Sequence, residues 1–471
     1  MKQMIKIVLT SIVMLLVLVS CRTGKAYQQP QLDLPEQFEG SSFADTSSLA
    51  DIEWRQFFTD TTLQGLIERG IQYNQDLIIA IRRIEIASKE LKQARALFFP
   101  SVDAQVVGQI TRPSDNSLNG ISIKNFLQKS HIENYQAGLM ASWEPDIWGK
   151  IKGQKEVALH RYLQTYEGAK AVQTALVADI AQGYLNLLML DKQLEIAKRN
   201  LLLNDSFVIA TRLLMDAGLT NALAVQQAEA QKQSTALLIP QIEQSIRIQE
   251  NVLQLLTGQN PGRINRNSQS AGLVIPDVIQ TGLPAALVSR RPDVRVSELD
   301  LMIANAEVGV AQANMYPALN ITAGGGLESF KASNWFNIPN SLFGLAAGAV
   351  AQPVFQKRAL RTKYEVAKLG REQAVTRFRQ SVLRAVTEVS NALVQLEKSK
   401  EQESIAKEQV NTLRSAVVNA QFLFRSDLAN YLEVITAQTN TLQAELNLAA
   451  IQRQEGAALV ELYRALGGGW K

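Results

Sequence analysis

One cysteine, Cys21, and two histidines, His131 and His160, are the whole supply of those residue types in a chain of 471. A single thiol cannot build an intrachain disulfide framework. Neither histidine has a Cys or His cluster near it at metal-ligand spacing, so no metal and no cofactor is assigned. Eight methionines are scattered along the chain, which weighs against a methionine relay for copper or silver. A net charge of +4 is too small to imply nucleic acid. No nucleophile, base and acid stand grouped, and an enzyme is not expected. Proline is absent from Pro353 to the C-terminus, and glycine from Gly370 to Gly456. What fills that gap is periodic. Val375, Val382, Val389 and Leu396 form one row at seven-residue spacing, and Phe378, Ala385 and Ala392 form a second. Such a seam predicts a helix packed lengthwise against other helices. About 70 residues at 1.5 Å each give a rod of roughly 105 Å. Polar runs such as Glu397 to Ser404 keep that rod in water.

At the other end, Lys2 and Lys6 precede an apolar run from Ile7 to Val19. The run is too short for a membrane helix and reads as the core of a signal peptide over residues 1–20. It closes on Leu18-Val19-Ser20-Cys21, which resembles the lipobox of bacterial lipoproteins. That resemblance implies an acylated N-terminal Cys21 anchored in lipid. Residues 21–51, rich in Gln, Pro, Ser and Asp, form an extended tether.

The body of the chain repeats itself. A shift of 217 residues lays Asp76 on Asp293, Glu90 on Glu307 and Pro100 on Pro317. A shift of 208 lays Pro145 on Pro353, and one of 209 lays Leu219 on Leu428, Asn221 on Asn430 and Val225 on Val434. Residues 52–260 and 284–466 are therefore two copies of one unit, joined by a linker at 261–283 and followed by a tail at 467–471. Each copy reads helix, strand, strand, long helix, returning helix. Asp76 and Asp293 are the expected caps of the first helices. Strands are expected at about 99–111 and 132–144, then at about 317–329 and 341–352. Val102, Ala104, Val106, Gly108 and Ile110 alternate with mostly polar neighbours, as do Tyr135, Ala137, Leu139, Ala141 and Trp143. In the second copy the apolar sets are Leu319, Ile321, Ala323, Gly325 and Leu327, then Phe343, Leu345, Ala347 and Ala349. Strands of about 9–11 residues suit a tilted membrane crossing. In the long helix after Pro145, Ile180, Leu187, Leu194, Leu201 and Val208 recur every seven residues. Pro240 is expected to kink the returning helix.

Four such strands cannot close a barrel, and open edges are not tolerated in lipid. Two copies of the chain would fill their own barrel, whereas three give twelve strands and a lumen. Particular stretches point the same way. They are Trp54-Arg55-Gln56-Phe57-Phe58, Asn74-Gln75-Asp76-Leu77, Trp143-Glu144-Pro145-Asp146-Ile147-Trp148-Gly149, Gly282-Leu283-Pro284, Arg290-Arg291-Pro292-Asp293-Val294, Tyr431-Leu432-Glu433-Val434 and Leu466-Gly467-Gly468-Gly469-Trp470. In these the chain resembles the TolC-type outer-membrane efflux proteins, in the lipoprotein branch (NodT family) that serves resistance-nodulation-division (RND) pumps. The resemblance implies a mainly α protein with membrane β: a duplicated unit with four membrane strands and long coiled-coil helices. It implies a homotrimer whose 12-stranded barrel continues as a periplasmic α-helical barrel. Implied partners are outer-membrane lipid, a periplasmic adaptor (membrane fusion) protein and an inner-membrane RND-type pump, with passive export of small molecules. A type I secretion duct shares this fold, and a lipid-tethered coiled-coil scaffold would explain the rods without the strands.

The two turns that end the long helices are expected to dock the adaptor. They comprise Gly218, Leu219, Thr220 and Asn221, and Asp427, Leu428, Ala429, Asn430 and Tyr431. Family members often carry an acid just before the Asn-Tyr pair of the second turn. Here Ala429 stands there, and the nearest acid is Asp427. Arg212 with Asp216, and Arg425 with Asp427, are gate candidates as basic-acidic pairs at the helix ends. Arg290-Arg291-Pro292-Asp293 reads as a helix start, with the arginines at a surface or interface, rather than a phosphate site.

Overall fold

A computed structural model describes residues 23–38, 48–266, 281–426 and 428–471. The elements are α1 (Thr61–Tyr73), α2 (Gln75–Ala96), β1 (Ser101–Thr111), α3 (Leu118–Leu127), β2 (Ile132–Trp143), α4 (Lys150–Asp216), α5 (Ala222–Leu256), α6 (Pro292–Ala313), β3 (Ala318–Ser329), β4 (Leu342–Ala351), α7 (Ala359–Arg425) and α8 (Tyr431–Ala465), with short helical turns before α1 and α6 and between β3 and β4. The repeat is visible in the lengths. Both α4 and α7 have 67 residues, and both α5 and α8 have 35. A 67-residue helix is about 100 Å long. Helix α3 has no forecast in the polar loop where it sits. Gly120 lets it form there, because a Cβ at that position would collide with the Ser114 carbonyl.

Two compact units gather matching pieces of the two repeats. One holds residues 23–30, 85–163 and 299–376 and contains the only multi-stranded sheet of the described residues. The sheet is antiparallel throughout, in the order β1-β2-β3-β4. Its register places Val102, Val106, Leu139, Ile321 and Val350 on one face and Asp103, Gln105, Gln136, Thr322 and Glu328 on the other. The apolar face is bare in the single chain, with Val106 at 74% and Val350 at 72% exposure. Among the described residues, β1 and β4 each have one strand neighbour only.

One strand departs from the sequence reading. Phe343, Leu345, Ala347 and Ala349 lie on the polar face, not with Leu319 and Ile321. The cause is a single residue. Pro145 and Pro353 match at a shift of 208, but the pairing of β4 repeats that of β2 at 209. A one-residue slip turns every side chain of a strand to the other face.

Chain from Thr23 to Pro30 is extended and pinned in this unit. The Thr23 hydroxyl donates to the Trp148 carbonyl at 2.5 Å, and Asn305 Nδ2 donates to the Lys25 carbonyl at 3.0 Å. Trp148 stacks on Tyr316, and its Nε1 donates to the Pro317 carbonyl at 2.7 Å.

The other unit is helical, with residues 31–38, 48–84, 164–266, 281–298 and the described part of 377–471. Its core contains the forecast rows Val382, Val389 and Leu396, and Phe378, Ala385 and Ala392, each 1% exposed or less. In α4, Ile180, Leu187 and Val208 are buried, whereas Leu194 and Leu201 are half-buried. Asn200, Asn204 and Thr211 take core positions beside them, each with a side-chain hydrogen bond. α5 runs through Pro240 as one helix.

The repeats make one joint twice. Asn74 Nδ2 donates to the Leu256 carbonyl at 3.0 Å, and Arg291 Nη1 donates to the Ala465 carbonyl at 3.1 Å. Beside each, a left-handed glycine lets two backbones touch. Gly258 (φ 67°) lies against the Tyr73 carbonyl, and Gly467 (φ 97°) against that of Arg290. A side chain at either position would meet both a strained φ and a carbonyl.

The helix starts correct two sequence readings. Asn74, not Asp76, caps α2, accepting from the Leu77 N–H at 3.0 Å. Asp293 lies in the first turn of α6 and pairs with Arg291 through two bonds, at 3.0 and 2.6 Å. Of the surface or interface expected for the arginines, Arg291 takes a buried interface between helices. It is 2% exposed and also reaches Glu388 at 2.8 Å. An oxygen acceptor two residues earlier served α2 better than the acid inside it, because a cap accepts from the N–H groups two and three residues on.

Candidate functional site

Both hairpin tips are built from the same bonds. At the end of α4, Gly218 (φ 75°) turns the chain and the Leu219 N–H donates to the Leu214 carbonyl at 2.8 Å. At the end of α7, the Leu428 N–H donates to the Leu423 carbonyl at 2.9 Å. These six-to-one bonds close the last helical turn as in a Schellman cap. The returning helices are capped by Asn221, accepting from Ala224, and by Asn430, accepting from Leu432 and Glu433. Asp427 lies outside the described residues, as does Cys21.

Apolar surface at the tips is matched pair by pair. Leu219 and Leu428 are 73% and 75% exposed, and Leu223 and Leu432 are 52% and 54% exposed. Thr220 and Ala429 are half-buried, and Gly218, Asn221 and Asn430 are exposed. Just behind the leucines, Phe207, Val208, Ala228 and Val434 pack together, with Phe424 and Tyr431 against them. The two hairpins are thus joined within one turn or two of their ends, leaving four leucines in solvent. Exposed leucines at two equivalent positions form a patch that a partner can cover.

Charges near the tips are arranged differently from the sequence pairing. Arg212 bonds Glu229 across its own hairpin at 2.7 Å, not Asp216. Lys232 and Asp205 make a second bridge at 2.6 Å, and that hydrogen bond raises the lysine above its ordinary pKa. Asp216 and Arg425 are exposed and occupy equivalent places at a shift of 209. Neither has an ion pair among the described residues.

One ionic group that sequence reasoning missed ties the hairpins together further back. Glu445 on α8, with its side chain 5% exposed, receives Arg199 of α4 at 2.6 Å and Arg414 of α7 at 2.8 Å. Asn200 Nδ2 adds a bond at 3.3 Å. The only signal for it was an acid next to the apolar row of α8, between Ala444 and Leu446.

The quoted stretches are structural pins. Phe57 stacks on Tyr463 at 4.1 Å between centroids, Phe58 meets the same ring edge-on, and the Tyr463 hydroxyl donates to the Ile52 carbonyl at 2.7 Å. Arg291 gathers Asp293, Glu388 and Ala465. Burial works most strongly on the Asp293 carboxylate and against its charge, but the hydrogen bonds and charge of Arg291, with backbone N–H donors, together outweigh it and hold the group below the usual carboxylate range.

Among the described residues no helix is long and apolar enough to cross a membrane. The sheet, with one apolar and one largely polar face over strands of 10–12 residues, has the dimensions of a membrane-barrel wall.

Comparison with known proteins agrees with that surface. The outer membrane efflux protein family matches residues 66–259 and 283–468. The solvent efflux pump outer membrane protein SrpC of Pseudomonas putida is 31% identical over 473 residues, covering 97% of each chain. The probable outer membrane lipoprotein SilC of Salmonella typhimurium is 27% identical, covering 99% of this chain and all of its own. The cation efflux system protein CusC of Escherichia coli is 27% identical over 463 residues. A solved CusC structure superposes with a TM-score of 0.84 at 26% identity, covering 95% of this chain and 100% of that one. The chain belongs to the outer membrane efflux protein family, and its fold is that of the TolC-like channels with duplicated units.

Proposed function

We propose that this outer membrane efflux protein works as a homotrimer, the exit duct of a tripartite system. Three copies join β1 of one to β4 of the next and close twelve strands around a lumen. Small molecules brought by an inner-membrane RND-type pump pass through a periplasmic adaptor into the helical barrel and out. The observation that carries this reading is the four-stranded sheet. It is apolar on one face and polar along most of the other, and it ends in two edges without strand partners. In lipid every backbone donor and acceptor must be paired, so those edges require further copies. Nothing in the relatives named above favours a secretion duct.

The finer parts are proposals of the same kind. Cys21 is the acylated N-terminus, for which mass spectrometry should find acyl mass on a peptide beginning there; a free thiol would reject it. The matched leucines, with Gly218 to Asn221 and Asp427 to Tyr431, dock the adaptor. Asp216 and Arg425 would alternate around a ring of six hairpins and hold the tip closed by opposite charge. Arg212, already bonded to Glu229, supports its own hairpin instead.

The experiment is direct. Outer-membrane fractions should yield heat-modifiable, SDS-resistant trimers that conduct ions in planar bilayers. Monomers that leave no conductance would remove the duct reading.

A further inference from the structure

The polar face of the sheet is not polar throughout, and the exception is confined to one strand. β4 has no polar side chain in its ten residues, so its two faces are both apolar. On the polar face the cross-strand rows run Asp103, Met140, Gly324, Leu345 and Gln105, Gly138, Gly326, Phe343. Each row passes from a polar residue on β1 to a large apolar one on β4. The middle of both rows is kept low. A Cβ at Gly324 would collide with the Met140 sulfur, and one at Gly326 with the Ala137 carbonyl. Met140 therefore lies flat across Gly324 beside Leu345, which is 46% exposed.

The duplication sharpens the contrast. By the pairing register, Phe343 and Leu345 stand where β2 has Asn134 and Gln136. The charged side chains on this face of the four strands are Asp103 and Glu328, both acidic; none is basic.

This inference rests on the duct reading, in which the face lines the lumen. A face bearing Asp103, Gln105, Gln136 and Glu328 cannot meet lipid. Within a lumen, no macromolecule covers an apolar stripe; water, ions and cargo are the visitors. From the apolar rows beside carboxylates we infer that the barrel wall holds passing amphipathic organic cations. Met140, Phe343 and Leu345 take the apolar body, and Asp103 with Glu328 draws the positive charge. A thioether and an aromatic ring are polarisable partners for aryl groups. Three copies repeat the stripe around the wall, so a cargo molecule always has one near it.

Single-channel recording tests this on the whole protein without a pump. Tetraphenylphosphonium should interrupt the wild-type current for longer than tetramethylammonium, which lacks the apolar body. It should also interrupt for longer than tetraphenylborate, which has the wrong charge. Placing the β2 residues on β4, Phe343→Asn with Leu345→Gln, should shorten the tetraphenylphosphonium dwell about fivefold, the loss of one aromatic contact. Exchanging the two apolar residues, Phe343→Leu with Leu345→Phe, should keep it long, which separates chemistry from folding. Asp103→Asn should shorten it for the cation only. Equal dwell times in the wild type and the polar variant would overturn the stripe while leaving the duct intact. A wild type that stays monomeric and carries no current would overturn both.

Discussion

Asn74 and Arg291 stand at the same place in the two repeats and make the same bond, yet they are different joints. Each donates to the last-turn carbonyl of its returning helix, Leu256 or Ala465, with a left-handed glycine alongside. Asn74 does this while capping α2. Arg291 adds Asp293 and Glu388, and Glu388 also takes Arg464 of α8 at 3.0 Å. The backbone of the ancestral unit is retained in both copies, while the side chains serve different neighbours. The first joint is neutral and local. The second is ionic, buried and shared between three helices.

The comparison predicts unequal costs. Arg291→Ala leaves Glu388 and Asp293 short of a buried partner and should cost about 3–5 kcal/mol, seen as a lower melting temperature. Asn74→Ala loses a cap and one hydrogen bond, about 1–2 kcal/mol. Equal losses would mean that the ionic additions contribute nothing. Gly258→Ala and Gly467→Ala, by contrast, should each cost about 1–3 kcal/mol and match one another, since both break the same geometry.

Acid should also separate the joints. The folded Asp293 carboxyl lies below its ordinary value, so its stabilisation is present above the unfolded pKa of about 4. It is lost as pH falls through the lower folded value. Amide exchange at the start of α6 should therefore speed up below about pH 4 more than at the start of α2. Asp293→Asn should abolish that difference.

These joints also show what the sequence could and could not reveal. The duplication, the four strands and the rows of α7 follow from period and spacing, and the rows are buried as forecast from Phe378 to Leu396. The start of the seam shifted by one, with Ala374 buried and Val375 half-buried, since a straight helix drifts against a seven-residue grid. Caps were harder, because Asn74 and Asp76 are both good caps and only the first backbone turn decides. The face of β4 was illegible by pattern. A strand apolar on both sides has no alternation to read, and the proline match gave a shift one residue short. Arg291 and Glu445 were hidden for another reason. Burial of a charge depends on partners on other helices, which no local pattern records.

A smaller effect belongs to the tips, where the copies match most closely. Leu219→Asp and Leu428→Asp should leave stability within about 0.5 kcal/mol, as both side chains are exposed. Each should weaken cysteine crosslinking to the adaptor to a similar extent. Loss at only one of them would show that the adaptor distinguishes the hairpins.

The central claim is that β1 of one copy pairs with β4 of the next. Within a chain these strands are separated by β2 and β3, so they cannot be linked to each other. Cysteines placed pairwise along β1 and β4, in a Cys21→Ala background, test it by oxidation in the outer membrane. The account predicts, in boiled samples, a covalent ladder ending at the trimer for one register of pairs, with single variants running as monomers. Absence of any interchain β1–β4 link across the scanned pairs would contradict it.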